Sequence, residues 1–328
     1  MALMPSAAFG WTLSRCVSWK PINTWESRVQ SCRPNVSSGA PADWLIENLD
    51  HEDDVTSSEG AVGESDTLPS DGLRIGIFHI TSASSDDTIA NKNMEVGMDS
   101  ISISLLARPN GWGSGVHPTT CLCLDFLQQV IPTIESSPVV LDYGCGSGIL
   151  SIAALGLGAC HIVGVDVEAE ALVTSHKNLQ INGFKGNSND YDEDSSNNEP
   201  TYELLHTRQI QPYDLSYSHS GLADICVANI LIGQLVRPSM VAALVTNIRS
   251  RGFLCLSGIR PGEVDALKAA YNDHVDWEDS LYKELSAQET KGSIESYGFD
   301  VGKWARVVGR IKANHKISID SLSDLAVS

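Results

Sequence analysis

From about residue 101 onward, short apolar runs alternate with stretches whose apolar residues recur at helical spacing. Each run has the length of one buried strand, and each periodic stretch has one apolar face, as an amphipathic helix requires. Alternation of strands and helices favours a mostly parallel sheet that is covered on both faces. We therefore predict an α/β fold, a doubly wound Rossmann-like sheet. The predicted strands are 138–142, 161–166, 202–206, 223–229, 252–257 and 304–311; the predicted helices are 149–157, 168–182, 230 to about 248, and two that begin at Pro118 and Pro261.

The first hundred residues lack this regularity. Residues 50–71 are acidic and rich in Ser and Gly, which is typical of a disordered linker or insertion. Residues 73–80 have the composition of a single strand. We therefore predict three parts: an irregular, partly disordered N-terminal region at 1–100, the α/β domain at 101–312, and a loose tail at 313–328.

Composition restricts the choice of partners. The chain has 328 residues, of which 42% are hydrophobic and 19% charged, as expected for a globular protein with a buried core. Its net charge of -19 disfavours binding to a nucleic-acid backbone and suits a basic protein partner. No apolar stretch reaches the roughly 18 residues of a membrane span. We expect no direct nucleic acid and no membrane partner.

The cysteines and the N-terminus bear on the compartment. None of the eight cysteines forms a CxxC pair, which favours reduced, packed thiols inside a cell and no metal site. The first forty residues carry Arg15, Lys20, Arg28 and Arg33 against Glu26 alone, a composition that fits an organellar transit segment. We expect an intracellular protein, with the cytoplasm preferred and the mitochondrion or plastid as alternatives.

A glycine-rich turn follows the first predicted strand of the domain. Asp142 ends the strand, and Gly144, Gly146 and Gly148 follow it before the helix that begins at Ile149. A strand, a glycine turn and a helix bring bare backbone close to a nucleotide-like ligand. The GxGxG spacing lacks the third glycine of a dinucleotide site, and a carboxylate at Asp142 would repel a pyrophosphate. The turn instead predicts a ligand with positive charge and no phosphate, such as S-adenosylmethionine.

Two further strands also end in polar residues. Asp166 ends the strand 161–166, where a carboxylate can accept hydrogen bonds from both ribose hydroxyls. Asn229 ends the apolar strand 223–229, where its amide could orient a substrate amine, although it could also cap the next helix. Since ligands bind beyond the carboxyl ends of strands in open α/β sheets, Asp142, Asp166 and Asn229 are predicted to meet in one crevice.

A second glycine-rich segment, 111–120, leads into the helix at Pro118 and has the composition of a lid over a ligand. Thr120 offers a hydroxyl for the methionine end of the cofactor, and the ring of Trp112 could shield its cationic centre. His117 is expected to form local hydrogen bonds rather than to act as a catalytic base.

The sequence resembles the methyltransferases that modify the large-subunit ribosomal protein L11 on lysine and N-terminal amines. The likeness covers roughly residues 105 to 311. The family's lid pattern FGTGTHPTT is matched at 112–120, its turn DFGCGSGIL at 142–150, its segment NILAGPL at 229–235, and its closing Trp and Val-Gly-Arg strand at 304–310. Many methyltransferases share the turn, whereas the lid and the Asn segment together are much more specific.

The resemblance implies a class I methyltransferase fold for residues 101–312 and S-adenosylmethionine as cofactor. It also implies that Thr120, Gly144, Asp166 and Asn229 contact the cofactor, with Asn229 close to the target amine. The expected substrate is a basic ribosomal protein, although a relative of the family's small substrate-recognition domain is not evident in residues 1–100. The chain departs from the family's pattern at Trp112, Ser114, Val116, Ile232 and Gln234.

Three other functions compete with this hypothesis. A methyltransferase could act on another protein lysine, on a small molecule or on nucleic acid, although the acidic net charge disfavours nucleic acid. A nicotinamide oxidoreductase is disfavoured by Asp142 and by the missing third glycine. A cofactor-binding interaction module without activity would keep the glycine turn, Asp166 and Asn229 but would have lost its target.

Overall fold

A computed structural model provides the structure of the protein and describes residues 68, 70–83, 100–106, 117–186, 199–206, 214–217, 221–286 and 302–313. Its strands are β1 (Leu73–Ile75), β2 (Phe78–Ala83), β3 (Ile101–Leu106), β4 (Val139–Tyr143), β5 (His161–Asp166), β6 (Lys185–Gly186), β7 (Thr201–His206), β8 (Ala223–Asn229), β9 (Ile248–Ile259), β10 (Val275–Trp277), β11 (Lys283–Ser286) and β12 (Lys303–Ile311). Its α-helices are α1 (Pro118–Val130), α2 (Ile149–Gly156), α3 (Ala169–Ile181), α4 (Asp214–Tyr217), α5 (Ile232–Leu235), α6 (Pro238–Thr246) and α7 (Val264–Tyr271).

In the described part of the chain, nine strands form the main sheet, in the order β6-β7-β5-β4-β8-β9-β12 with β10 and β11 both paired to β12. The strands from β6 to β9 are parallel, and β12 runs antiparallel to β9. The chain leaves β4 in one direction toward β5 and β7, and then returns to place β8 on the other side of β4. This reversal of strand order opens a crevice at the carboxyl ends of the strands. The predicted doubly wound α/β sheet is confirmed.

Alternate residues of the central strands pack into two different cores, one on each face of the sheet. Val140 and Ile162 belong to the core that includes α1, α2 and α3, whereas Leu141 and Val163 belong to the core that includes α6 and α7. Successive side chains of a strand point to opposite faces, so a strand covered on both faces must be apolar throughout. The unbroken apolar runs in the sequence have this physical origin.

A second sheet of three strands, β1-β2-β3, packs against the first of these cores. The prediction of a single strand over 73–80 is wrong, because Gly76 and Ile77 form a turn that separates β1 from the antiparallel β2. Gly76 has a positive φ of 56°, and a Cβ at this position would collide with the side chain of Gln128 on α1. The division of the chain at residue 100 stays a prediction, although β1 and β2 share a core with the helices of the main sheet.

The helix predicted from residue 230 to about 248 is also wrong. The segment forms two short helices, α5 and α6, and β9 already begins at Ile248. Pro238 occupies the first turn of α6, where its missing N–H costs nothing, but it cannot continue a helix that started earlier. The helix predicted at Pro261 begins as one 3-10 turn and continues as α7, with Val264, Leu267 and Tyr271 buried.

The described cysteines form no disulfide bonds with one another, and all of them except Cys160 are buried. Within the same residues, no helix combines the length and the apolar character needed to cross a membrane.

A buried arginine ties α1 to β12 of the main sheet. Arg306 on β12 is 1% exposed, and its Nη1 donates to Leu122 O at 2.7 Å and to the Asp125 carboxylate at 2.9 Å. Its Nε and Nη2 donate to Leu281 O. Arg306 and Lys283 together lower the pKa of Asp125 despite its partial burial. This network holds the helix whose first turn contains Thr120.

We expect Arg306→Met to lower the free energy of unfolding by about 3 kcal/mol, because the buried carboxylate and carbonyl groups lose their charged donor. Urea denaturation followed by circular dichroism measures the change. Arg251→Met is the control, since the Arg251–Asp276 pair has side-chain exposures of 64% and 56%; it should change the unfolding free energy by less than about 1 kcal/mol. Equal effects of the two substitutions would contradict a special role for the buried pair.

Candidate functional site

The polar residues predicted to converge lie at the same edge of the main sheet. Asp142 is the penultimate residue of β4, Asp166 is the last residue of β5, and Asn229 is the last residue of β8. β4 lies between β5 and β8, and all three strands are parallel. Their carboxyl ends therefore meet at the point where the strand order reverses, which is the usual ligand site of such sheets.

The turn after β4 uses its glycines for two different reasons. Gly144, Gly146 and Gly148 all have positive φ, at 81°, 55° and 79°. A Cβ at Gly144 would lie 2.5 Å from Ile230 Cγ2, and one at Gly148 would lie 2.5 Å from Ser175 Oγ. Among the described residues, a Cβ at Gly146 would have no neighbour within 4 Å, so this part of the turn presents bare backbone that no described side chain covers. Space of this kind is what a ligand that approaches the backbone needs.

Asp166 connects the glycine turn to the tip of β5. Its Oδ2 accepts from Gly146 N at 2.8 Å, and its Oδ1 accepts from Glu168 N at 3.0 Å. The residue is 8% exposed. A carboxylate has about four lone-pair positions, so these two bonds leave acceptor capacity for hydroxyl groups of a ligand.

Asp142 lies beneath the turn rather than on its surface. It is 1% exposed; Ser151 Oγ of α2 donates to its Oδ2 at 2.6 Å, and its buried Oδ1 has no hydrogen-bond partner among the described residues. Burial raises the pKa of Asp142 to about 6, the bond from Ser151 opposes this shift, and the charge of Asp166 adds to it. The ionised carboxylate is therefore costly, and a cation bound above the turn would stabilise it.

Thr120 and Asn229 are brought together from distant parts of the chain. Asn229 Nδ2 donates to Thr120 Oγ1 at 3.4 Å, across a sequence separation of 109 residues. Thr120 is 5% exposed in the first turn of α1, and Asn229 is partly exposed at the tip of β8. The two residues that the lid pattern and the Asn segment single out therefore form one pair at the crevice.

His117 caps the helix that carries Thr120. Its Nδ1 accepts from Thr119 N at 3.3 Å, and the Thr119 hydroxyl lies 2.7 Å from the same nitrogen. Its ring meets Trp304 edge to face at a centroid distance of 4.8 Å, and the guanidinium of Arg260 stacks on Trp304 at 3.7 Å. Burial, and then the charge of Arg260, lower the pKa of His117 to about 4. The ring is thus neutral near pH 7 and a weak base, as expected for a residue with a local structural role.

Part of the predicted site lies outside the described residues, namely Trp112 and the rest of the lid segment up to Val116. Two residues of the site were not predicted from the sequence. Ser151 donates a hydrogen bond to Asp142, and Ile230 lies against Gly144. Ser151 carried a signal, since it is the one hydroxyl in the otherwise apolar α2. Ile230 carried none, because its contact depends on how β8 lies beside β4.

The turn and the neighbouring strand tip offer features that a cationic ligand with hydroxyl groups could use. Among the described residues, these features are a buried Asp142 oxygen without a hydrogen-bond partner, open backbone at Gly146 and the acid Asp166 at the tip of β5. Within the described ranges, no group of three His, Cys, Asp or Glu side chains could hold a metal ion.

Comparisons with known proteins point to one family. The family model described as "Ribosomal protein L11 methyltransferase (PrmA)" matches residues 91–285. A ribosomal protein L11 methyltransferase of Pseudomonas aeruginosa is 38% identical over 185 residues, or 56% of this chain and 53% of that protein. One of Shewanella halifaxensis is 32% identical over 187 residues, or 57% and 55% of the two chains. The chain thus spans about half the length of the curated relatives it matches.

Among solved structures, a ribosomal protein L11 methylase of Lactobacillus delbrueckii subsp. bulgaricus has 21% identity and a TM-score of 0.47, with 73% of this chain and 97% of that one covered. A precorrin-6y C5,15-methyltransferase of Geobacter metallireducens has 16% identity and a TM-score of 0.39, with 58% and 88% covered.

The burial of Asp142 predicts a stability that depends on pH. Its pKa in the folded chain, about 6, lies above the ordinary 3.8, so the folded state holds the proton more tightly than the unfolded state does. The contribution of Asp142 to stability is therefore present below about pH 4 and lost as pH rises through about 6. We expect Asp142→Asn to raise the unfolding free energy of the ligand-free protein by about 2 kcal/mol at pH 8, and by much less at pH 4.5.

Urea unfolding of both proteins at the two pH values measures the difference. The control is Asp125→Asn, which should lower stability at pH 8, since Arg306 and Lys283 hold the pKa of Asp125 below its ordinary value. If the difference in unfolding free energy between wild type and Asp142→Asn did not change with pH, ionisation of Asp142 would not destabilise the folded state and the prediction would be wrong.

Proposed function

Because the chain belongs to the ribosomal protein L11 methyltransferase family, we propose that it transfers methyl groups from S-adenosylmethionine to a protein amine, a lysine side chain or an N-terminus, of a large-subunit ribosomal protein. The observation that carries the proposal is the pairing of Thr120 with Asn229 beside a glycine turn that Asp166 holds. Residues 101–312 form the methyltransferase domain in this proposal, and the cytoplasm is the preferred compartment.

The cofactor is proposed to lie over the glycine turn. Asp166 would accept hydrogen bonds from its ribose, and the backbone at Gly144, Gly146 and Gly148 would let it approach closely. Asp142 would act through its charge, since its carboxyl lies beneath the turn and would stabilise positive charge above it. When bound, S-adenosylmethionine supplies a methyl group on a positively charged sulfur, which an uncharged amine can attack.

Asn229 is proposed to orient the target amine. Its Nδ2 donates to Thr120 Oγ1, and this bond turns the amide so that Oδ1 remains as an acceptor for an N–H of the amine. Thr120 thus positions Asn229 in addition to offering its hydroxyl to the cofactor. Holding the amine in line with the methyl group removes several kcal/mol of the barrier by proximity alone.

The proton of the amine need not go to a side-chain base. His117 has a pKa of about 4 and is therefore a weak base at neutral pH. Enclosure of a lysine amine in the crevice disfavours its charged form, lowers its pKa and releases the proton to water before transfer.

The substrate is proposed to be ribosomal protein L11, on the family relationship. The net charge of -19 supports a basic protein partner, because opposite charge speeds encounter and suppresses acidic competitors. A methyltransferase for another protein lysine or for a small molecule, and a binding module without activity, are outcomes that the experiment below separates.

The experiment incubates the purified chain with S-adenosylmethionine labelled at the methyl group and purified bacterial ribosomal protein L11. We expect label on L11, and we expect Asn229→Ala to lower kcat about a hundredfold while the Kd for S-adenosylmethionine changes less than about threefold, because misplacement of the amine affects transfer more than binding. Gln234→Ala, an exposed residue of nearby α5, is the control and should keep kcat within about twofold.

Three other outcomes discriminate between the alternatives. Label on other proteins of a cell extract, with none on L11, would assign a different protein substrate. Label on small molecules alone would assign a small-molecule methyltransferase. Binding of S-adenosylmethionine without any transfer would favour the interaction module.

The cofactor site is tested by calorimetry. We expect Asp166→Ala to lower the affinity for S-adenosylmethionine at least a hundredfold, because it removes both the acceptors for the ribose and the bond that holds Gly146. Glu168→Ala is the matched control, since this exposed neighbour interacts with Asp166 only through its own backbone N–H; it should stay within about twofold. Unchanged affinity after Asp166→Ala would contradict the site.

A further inference from the structure

Helix α3 buries polar side chains on the face that it presents to the rest of the domain. Ser175, Asn178 and Asn182 are 0%, 0% and 4% exposed, and their spacing of three and four residues places them on one side of the helix and its C-cap. Buried amides are costly unless they are hydrogen-bonded. The hydrogen-bond partners of Asn178 and Asn182 therefore show which parts of the protein this face of the helix connects.

In the described part of the chain, the side chain of Asn182 bonds to its own helix and to β3. Its Oδ1 accepts from Ser104 N at 3.0 Å, and its Nδ2 donates to Ser104 O at 2.7 Å. The side chain thus pairs with one residue of β3 as a neighbouring strand would. Its Nδ2 also donates to Asn178 O at 2.7 Å.

Asn178, one turn earlier, divides its amide between two parts of the protein. Its Oδ1 accepts from Leu106 N, at the end of β3, at 2.8 Å. Its Nδ2 does not return to β3 but donates to Ser147 O at 2.8 Å, between Gly146 and Gly148 of the glycine turn. One fully buried side chain therefore joins the turn to the second sheet.

Ser147 is a sensitive point of the turn. The flanking glycines have positive φ values of 55° and 79°, so the peptide groups here follow neither a helix nor a strand ladder. Gly146 is the residue before Ser147, and its backbone N–H donates to the Asp166 carboxylate. A bond that fixes the direction of Ser147 O therefore also restricts how Gly146 presents its backbone.

We infer that Asn178 is a positioning residue, which holds the glycine turn in its cofactor-binding conformation and couples it to the end of β3. The inference rests on the proposed function, because it requires that S-adenosylmethionine binds at this turn. Asn178 itself touches neither cofactor nor substrate in this proposal. It acts by keeping Ser147 O directed toward α3, so that the turn does not have to be ordered when the ligand arrives.

The matched pair Asn178→Asp and Asn182→Asp tests the inference at pH 8. Each carboxylate keeps the acceptor for a backbone N–H of β3 and loses the amide donor, but only at position 178 does the lost donor serve the glycine turn. We expect both variants to lose similar thermal stability. Asn178→Asp should weaken S-adenosylmethionine binding at least about tenfold by calorimetry, whereas Asn182→Asp should stay within about twofold.

A purely structural role would move stability and affinity together in both variants. Similar affinity in the two variants, or wild-type affinity in Asn178→Asp, would overturn the inference. Failure of the wild-type chain to bind S-adenosylmethionine would instead overturn the proposed function. Asn178→Ser, which is uncharged and too short to bridge both partners, replaces Asn178→Asp if the latter does not fold, with the same expected loss.

Hydrogen exchange on the wild-type chain tests the coupling without any substitution. Saturating S-adenosylmethionine should slow exchange of the Leu106 amide, which Asn178 holds, more than that of the Ser104 amide, which Asn182 holds. Slower exchange in the glycine turn together with an unchanged rate at Leu106 would contradict the coupling.

Discussion

The bond between the Asp166 carboxylate and the Gly146 amide is the interaction on which the candidate site depends. It joins the tips of two neighbouring parallel strands and holds a turn whose positive φ values exclude any regular ladder of hydrogen bonds. The same carboxylate is the acid proposed to accept hydrogen bonds from the ribose of the cofactor. One side chain therefore serves both the conformation of the turn and the proposed binding of the cofactor.

The site is built at a cost to the stability of the fold. Asp142 is buried, one of its oxygens has no hydrogen-bond partner among the described residues, and its raised pKa shows that ionisation is unfavourable there. A cationic ligand above the turn would stabilise the ionised carboxylate of Asp142. The relief of this unfavourable ionisation would then add to the binding free energy. The negative charge of Asp142 beneath the bare backbone would attract the sulfonium of the proposed cofactor and would repel a pyrophosphate.

Long-range contacts complete the arrangement. Arg306 on β12 holds α1, whose first turn places Thr120 next to Asn229. Asn178 joins the glycine turn to β3. Buried polar side chains therefore fix both the helix that carries Thr120 and the glycine turn.

Local patterns in the sequence predicted β4, β5, β7, β8, β9 and β12 of the main sheet, the glycine turn and the polar strand tips, because periodicity and glycine spacing depend only on nearby residues. They did not predict the short strands β6, β10 and β11. The predictions were wrong at two places. Gly76 forms a tight turn beside Gln128, which is distant in sequence, and Pro238 begins a new helix inside the single helix predicted after Asn229. Only the tertiary structure decided that Thr120 meets Asn229, that Asp142 lies beneath the turn, and that Asn178 reaches Ser147. Such pairings depend on how packed elements lie against one another, and no local pattern of residues contains that information.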